Sequence, residues 1–285
     1  MILLTGAGGR TGRAVLKALV AQDAEVRAFI RSPGQVEDLR ALGAADITIG
    51  DMQVRPSVEA AVEGCSTVVH IGPPMHEDEV VITNTFLTSA KRFGVDRFVY
   101  YSVMHPFRRE VRHHALKLEA TELVVESDLP YTLIEPCRYM QHLEPIWPTV
   151  RDTGVHSMPF NTHVPFSVVD LADLAEVTAK VVVESGHEYA TYELAGPQRL
   201  SQDDMAATIS EVLGRPVRAE AMSLDVMAAK AEAKGLSDDR IEQMCRMNAH
   251  YDAHGFPGNS HVLEWLLGRP ATRYVDYVKT LAARD

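Results

Sequence analysis

Short apolar runs alternate with amphipathic stretches along the first half of the chain. The runs Ile2–Leu4, Val26–Ile30, Asp46–Ile49, 67–71, Arg97–Tyr101 and 131–134 are brief and mostly β-branched or aromatic. Runs of this length between turn residues read as strands buried on both faces. Between them, 11–21, 35–42, 56–62, Glu79–Phe93 and 111–126 carry apolar residues at helical spacing. Strand–helix alternation with short connections predicts an α/β fold, a Rossmann-type doubly wound parallel sheet with helices on both faces.

The texture changes over 151–165, where Gly, Pro, Asn and His replace helical period and predict a loop or boundary. Beyond it, "VPFSVVDLADLAEV" reads as a strand ending at Asp170, which can cap the next helix. A strand over 189–194 follows, then a helix opened by a Ser201/Asp204 capping box and stopped at Gly214. "RPVRAEAMS" predicts a strand, 225–233 and 238–249 predict helices, and the tail predicts an amphipathic helix. The organisation expected is a dinucleotide-binding domain over 1–150 and a substrate-binding domain over 151–285. The second is smaller and mainly helical, returns some strands to the main sheet, and is read as a substrate lid.

Composition narrows the function classes. The chain has 285 residues, 46% hydrophobic and 24% charged, as expected of a globular protein. A net charge of −11 argues against a nucleic-acid partner, which needs a basic surface. No apolar run reaches the roughly 18 residues of a membrane span. Met1 runs straight into a strand, leaving no room for a signal segment, and Cys65, Cys137 and Cys245 lack paired spacing. The expectation is a cytoplasmic protein with reduced thiols that binds a small-molecule substrate, with a homodimer or a protein partner left open.

Candidate chemistry begins at "MILLTGAGGRTG". Gly6, Gly9 and Gly12 lie between a strand and a helix, where glycines allow a tight turn, phosphate approach and close helix packing. Arg10 and Thr11 lie in the same turn. The second strand, "EVRAFIR", ends in Arg31, where an acid would bond the ribose 2′-OH of NAD. An arginine there, with Arg10, suits the 2′-phosphate of NADP. NADP(H) is therefore favoured over NAD(H); the alternative is two solvated surface arginines.

These segments, with "GDMQVRPSVEAAVEG", "FGVDRFVYYS", "HHALKLEATELVVESDLPYTLIEP", "YELAGPQRLSQDDMAATISEVLGRPV" and "LLGRP", resemble the NmrA-like atypical short-chain dehydrogenase/reductases over nearly the whole chain. The resemblance implies an NAD(P)-binding Rossmann domain with a small C-terminal substrate domain. It puts Asp51 and Met52 beside the adenine, with a turn or capping acid as the alternative for Asp51. It puts Ile71, Gly72 and Pro73 on the nicotinamide-ribose side, and Ser102 where the wider superfamily bonds a substrate carbonyl. The segment with Pro136, Tyr139, Met140 and Gln141 would pass over the nicotinamide and begin the substrate pocket. Trp147, Trp265, Phe160, Phe166, Met158 and His156 lean that pocket toward apolar substrates.

The wider superfamily uses a tyrosine four residues before a lysine on the helix after the fifth strand. Lys117 is present here, but the position four earlier is His113, which shares its helical face. Tyr100 and Tyr101 end a strand and, by this spacing, are not the missing phenol. Lys117 is the first catalytic candidate, His113 the second and Tyr139 the third. Three readings compete: acid–base work by Lys117 with or without His113, ribose anchoring by Lys117 with an activated acceptor, or no catalysis. The first two make an NADP(H)-dependent oxidoreductase acting on a small apolar carbonyl, quinone or aromatic compound. The third makes an NADP(H)-sensing regulator of the NmrA type, and an aromatic-pathway isomerase or oxygenase would fit the same scaffold. No metal site is expected, since the His and Cys residues lack ligand spacing. No G-x-S-x-G elbow supports a hydrolase.

Overall fold

The computed structural model describes residues 1–284. Its strands are β1 (Ile2–Leu4), β2 (Val26–Ile30), β3 (Asp46–Ile49), β4 (Thr67–His70), β5 (Arg97–Tyr101), β6 (Tyr131–Pro136), β7 (Arg138–Tyr139), β8 (Val155–Met158), β9 (Phe166–Val169), β10 (Ala190–Leu194), β11 (Gln198–Leu200) and β12 (Arg218–Ala221). Its α-helices are α1 (Arg10–Val20), α2 (Val36–Ala41), α3 (Arg55–Val62), α4 (Glu79–Phe93), α5 (Arg112–Val125), α6 (Trp147–Thr153), α7 (Leu171–Val183), α8 (Gln202–Leu213), α9 (Leu224–Glu232), α10 (Asp238–His254), α11 (His261–Leu267) and α12 (Tyr274–Ala282).

Two compact units share the chain. The first comprises Met1–Phe107, His114–Glu135 and Leu174–Tyr192. Its seven-stranded sheet has the order β10-β6-β5-β4-β1-β2-β3. The pairs β1/β2, β1/β4, β2/β3, β4/β5 and β5/β6 are all parallel. This is the doubly wound Rossmann arrangement. Strand order reverses between β1 and β4, and sheets of this class bind ligands beyond the carboxyl ends of their strands at such a reversal. Leu3, Phe29, Val68, Phe86 and Phe98 are buried in one core cluster of this unit.

The second unit comprises Arg108–His113, Pro136–Asp173 and Glu193–Asp285. It holds a three-stranded sheet, β11-β9-β7, and a two-stranded one, β12-β8. Met140, Leu143, Trp147, Ile209, Tyr274 and Val278 are part of its own core. Asp170 Oδ1 accepts from the Ala172 N–H at 2.9 Å, so the strand-ending aspartate caps α7. The capping box on α8 forms as read, with Ser201 and Asp204 satisfying each other's backbone N–H. The arginine of "LLGRP" also gains a purpose: Arg269 donates to the buried Asp173 at 2.8 Å.

One stretch departs from its sequence reading. Residues 151–165, read as a loop or boundary, contain the end of α6 and all of β8. Pro148 sits in the first turn of α6, Gly154 ends it with φ +69°, and β8 then pairs in parallel with β12. Pairing with a strand some 60 residues away in sequence overrides a local composition that favours turns.

Gly12 shows how tightly the opening turn packs. A Cβ there would lie 2.2 Å from the Gly6 carbonyl oxygen and 2.6 Å from the Ala7 Cα. Both are backbone atoms, so the turn itself would have to move. Gly12→Ala should therefore cost about 1–3 kcal/mol of unfolding free energy despite its better helix propensity. Chemical denaturation followed by circular dichroism checks this; an unchanged or higher midpoint would show that the turn has slack.

Candidate active site

The site begins where β1 releases into α1. Gly6 has φ +61°, a left-handed conformation, and a Cβ on it would lie 2.8 Å from the Ile71 carbonyl oxygen. Thr5 ties the same two chain ends together. Its Oγ1 donates to the Ile71 carbonyl at 3.0 Å and accepts from the Ile71 N–H at 2.8 Å. Gly9 is the N-cap of α1, no side chain caps that end, and its first turn holds no acid. An uncapped helix N-terminus behind a glycine turn has the chemistry to receive a diphosphate. The turn is braced on its other side, where Gln35 Nε2 and Arg13 Nε each donate to the Gly8 carbonyl at 3.2 Å.

Arg10 and Arg31 are both exposed, the first opening α1 and the second one residue beyond β2. Thr11 is half-buried and Gly12 buried. Asp51 behaves as a turn acid, its Oδ1 accepting from the Gln53 N–H at 2.9 Å. Met52 packs against the core of the first unit. Ile71, Gly72 and Pro73 follow β4 directly.

The most developed polar cluster surrounds Lys117. Its Nζ donates to Glu79 Oε1 at 2.7 Å and to the Tyr101 carbonyl at 2.8 Å, and lies 4.9 Å from the Tyr100 ring centre. The Tyr100 hydroxyl donates to the same Glu79 oxygen at 2.7 Å. Lys117 is 6% exposed and Glu79 2%, so this ion pair is shielded from water. Glu79 Oε2 is buried without a hydrogen-bond partner and faces the turn after β4, where a Cβ on Gly72 would lie 2.8 Å from it.

Electrostatics follow from that burial. Desolvation would raise the Glu79 carboxyl, but Lys117 foremost, with His70 and the Tyr100 hydroxyl, holds it below its ordinary value. Burial, with Glu79 beside it, pushes the Tyr100 phenol well above its ordinary value. His70 stacks on Tyr100 at 5.9 Å and lies 3.1 Å from the Thr5 hydroxyl. Burial drives its imidazole down to about 3, so it is neutral.

The cluster therefore unites Gly72 and Lys117 through Glu79, which sequence reasoning missed, and through Tyr100, which spacing had set aside. Ser102 is buried just beyond β5, with its Oγ 3.0 Å from Thr121 Oγ1 on α5. His113 lies half-buried in the first turn of α5; the stripe buried with Lys117 carries His114 instead, whose Nδ1 is 2.8 Å from the His105 carbonyl. Pro136, Tyr139 and His113 belong to the second unit, where Tyr139 stacks on His142 at 5.8 Å.

Comparison with known proteins fits this architecture. The family model described as the NmrA-like family matches residues 1–281. An NAD(P)H azoreductase of Xenophilus azovorans is 28% identical over 284 residues, spanning 99% of this chain and 98% of the relative. Quinone oxidoreductase 2 of Escherichia coli (strain K12) is 25% identical over 285 residues, spanning 99% and 98%. The crystal structure of the Escherichia coli NADPH-dependent quinone oxidoreductase complexed with NADPH superposes with a TM-score of 0.85 at 24% identity, covering 99% of this chain and 100% of that one.

Two buried neutral histidines give the fold a pH signature. His70 at about 3 and His156 at about 4 both lie below the ordinary 6.5, chiefly through burial. Below about 6.5 the unfolded chain binds more protons than the folded one. Stability should be full above that pH and fall toward pH 4, by up to ~1.4 kcal/mol per unit per histidine. Denaturation midpoints across this window test it, with a shallower slope expected for His70→Asn. A flat profile would mean that both imidazoles charge inside the fold.

Proposed function

Because the chain belongs to the NmrA-like family, we propose that it is an NADP(H)-dependent oxidoreductase that reduces quinones or other conjugated aromatic compounds. One observation carries the reading. A glycine turn opening a helix with no side-chain cap and a buried, hydrogen-bonded Glu79–Lys117 pair are built onto the same sheet, the pair against the turn that follows β4. Full-length similarity to an NAD(P)H azoreductase and a quinone oxidoreductase supports the substrate class.

Residues of the first unit fit the dinucleotide. The α1 N-terminus, with Gly6, Gly9 and Thr11, would hold the diphosphate, and Arg10 and Arg31 the 2′-phosphate. Ile71, Gly72, Pro73 and Ser102 would line the nicotinamide end, with Asp51 and Met52 toward the adenine. Bound NADPH supplies a hydride. The protein must then supply position and a proton.

Lys117 is the group we assign to the proton. Glu79 offsets the desolvation of its ammonium and, with the Tyr101 carbonyl, fixes Nζ in a buried place. Glu79 Oε1 and the Tyr101 carbonyl accept from two of its N–H groups, so in this reading the third would serve a bound ligand. Tyr100 is fully buried with its hydroxyl committed to Glu79, so it orients the pair rather than meeting substrate.

Purified protein with NADPH should oxidise it in the presence of a quinone or an azo compound, followed by loss of the dihydronicotinamide absorbance. Cofactor binding without any oxidation across such a panel would refute the reductase and leave a dinucleotide-binding protein. In active protein, Lys117→Met combined with Glu79→Gln should lower kcat about 10²-fold or more while NADPH affinity changes far less. The double variant avoids stranding one buried charge, which alone would cost about 3–5 kcal/mol.

The cofactor preference rests on Arg31. Arg31→Asp should weaken NADPH binding by about 1.5–3 kcal/mol, roughly ten- to a hundredfold, with NADH little affected or improved. Calorimetric titration of both nucleotides measures it, and an unchanged NADPH affinity would remove Arg31 from the site.

A further inference from the structure

The second unit places a cation where no acid meets it. Arg138, on β7, holds its guanidinium 4.8 Å from the Phe160 ring centre and 5.8 Å from that of Phe166. Its one side-chain bond is a long contact of 3.9 Å from a guanidinium N–H to the Met158 sulfur. Among the described residues no carboxylate pairs with it. Other shielded arginines are satisfied differently: Arg27 meets Asp46 at 2.6 Å and two carbonyls, and Arg97 meets Glu188 and three carbonyls. Acids are not scarce, since the chain has 39 against 28 lysines and arginines.

The surroundings of Arg138 are aromatic and under-satisfied. Phe160 and Phe166 stand 4.5 Å apart, and Phe166 meets the buried Tyr251 edge-on at 6.4 Å. Tyr251 stacks on Phe256 at 4.7 Å, and Arg108, which donates to the Gly255 carbonyl at 3.0 Å, lies 5.5 Å from that Phe256 ring, with no carboxylate paired to it among the described residues. His156 is 2% exposed, and its Nδ1 has no partner. Burial lowers Arg138 only to about 10, so it keeps its charge at neutral pH. Stacking on rings contributes about 0.5–2 kcal/mol, less than the desolvation of a cation costs. A guanidinium with its planar fork uncommitted, between ring faces, is built for a planar anion.

We propose that Arg138, with Arg108 and His156, forms a binding site in the second unit for an aromatic carboxylate or sulfonate. The rings receive the flat body, and the guanidinium pairs with the anionic group through two parallel N–H bonds. An overall charge of −11 would repel such a ligand, so a local cation in an apolar setting is what makes it bind. The site stands on the second unit alone and holds whether or not the chain oxidises NADPH.

Calorimetry of the full chain without cofactor tests it, using naphthalenesulfonate and its neutral counterpart naphthalenemethanol. The sulfonate should bind more tightly, and its affinity should fall as salt is raised. Arg138→Gln should weaken the sulfonate about tenfold or more and leave the neutral compound within about twofold. Equal binding of the two compounds by the unmodified protein, or an unchanged sulfonate affinity in Arg138→Gln, overturns the proposal. Should Arg138→Gln fail to give a cooperative melt, Arg138→Lys keeps the charge but loses the fork. Undiminished sulfonate binding there refutes bidentate pairing, and a several-fold loss supports it.

Discussion

A lysine and a glutamate that meet out of contact with water hold three elements of the first unit together. Lys117 comes from α5 and Glu79 from the start of α4, while the Tyr101 carbonyl and Tyr100 hydroxyl come from β5 between them. Two helices and a strand are thus locked to one set of atoms at one end of the sheet. Such a pair adds little net stability, because the Coulomb gain is spent on removing two charges from water. Its effect lies in specificity. Either partner left alone would be a buried unpaired charge, so α4 and α5 cannot shift independently.

The same logic explains the polar atoms packed around it. His70 stacks on Tyr100 and lies tilted against Phe86 at 4.5 Å, where a charged imidazole would add a cation beside Lys117. Burial keeps it neutral and leaves it to hydrogen-bond Thr5, which in turn fixes the end of β4 against the glycine turn. The glycine turn and the ion pair are therefore connected through Thr5, which meets His70, and through the stacking of His70 on Tyr100. The order of strands places β1 beside β4, and this seam of hydrogen bonds and one ring stack is what that adjacency makes available.

Legibility in the sequence followed the range of the interactions. The glycine turn, the capping box at Ser201 and the capping aspartate at Asp170 are local devices, and each could be read within a few residues. The Rossmann order and the NmrA-like family were likewise visible, because periodicity and motif order extend over the whole chain. Glu79 was not visible. It opens a helix 38 positions before Lys117, and an acid in a first turn ordinarily reads as a dipole partner exposed to solvent. Tyr100 was set aside because i, i+4 spacing governs one helix and says nothing of a strand packed beneath it. Strand β8 was missed for the related reason that its partner, β12, is far along the chain.

Lys117 and Arg138 meet their surroundings in opposite ways. In the first unit, Lys117 finds its counter-charge within the protein, so the cluster is electrically complete on its own. In the second, Arg138 has ring faces and a thioether in place of a carboxylate, although Asp170 and Asp173 in the same unit are fully committed to Gln141, Arg269 and backbone N–H groups. A fold able to satisfy Asp173 with three separate donors has the means to pair an arginine. Internal completion suits a group that must stay put through a reaction; an uncommitted guanidinium suits one whose partner comes and goes.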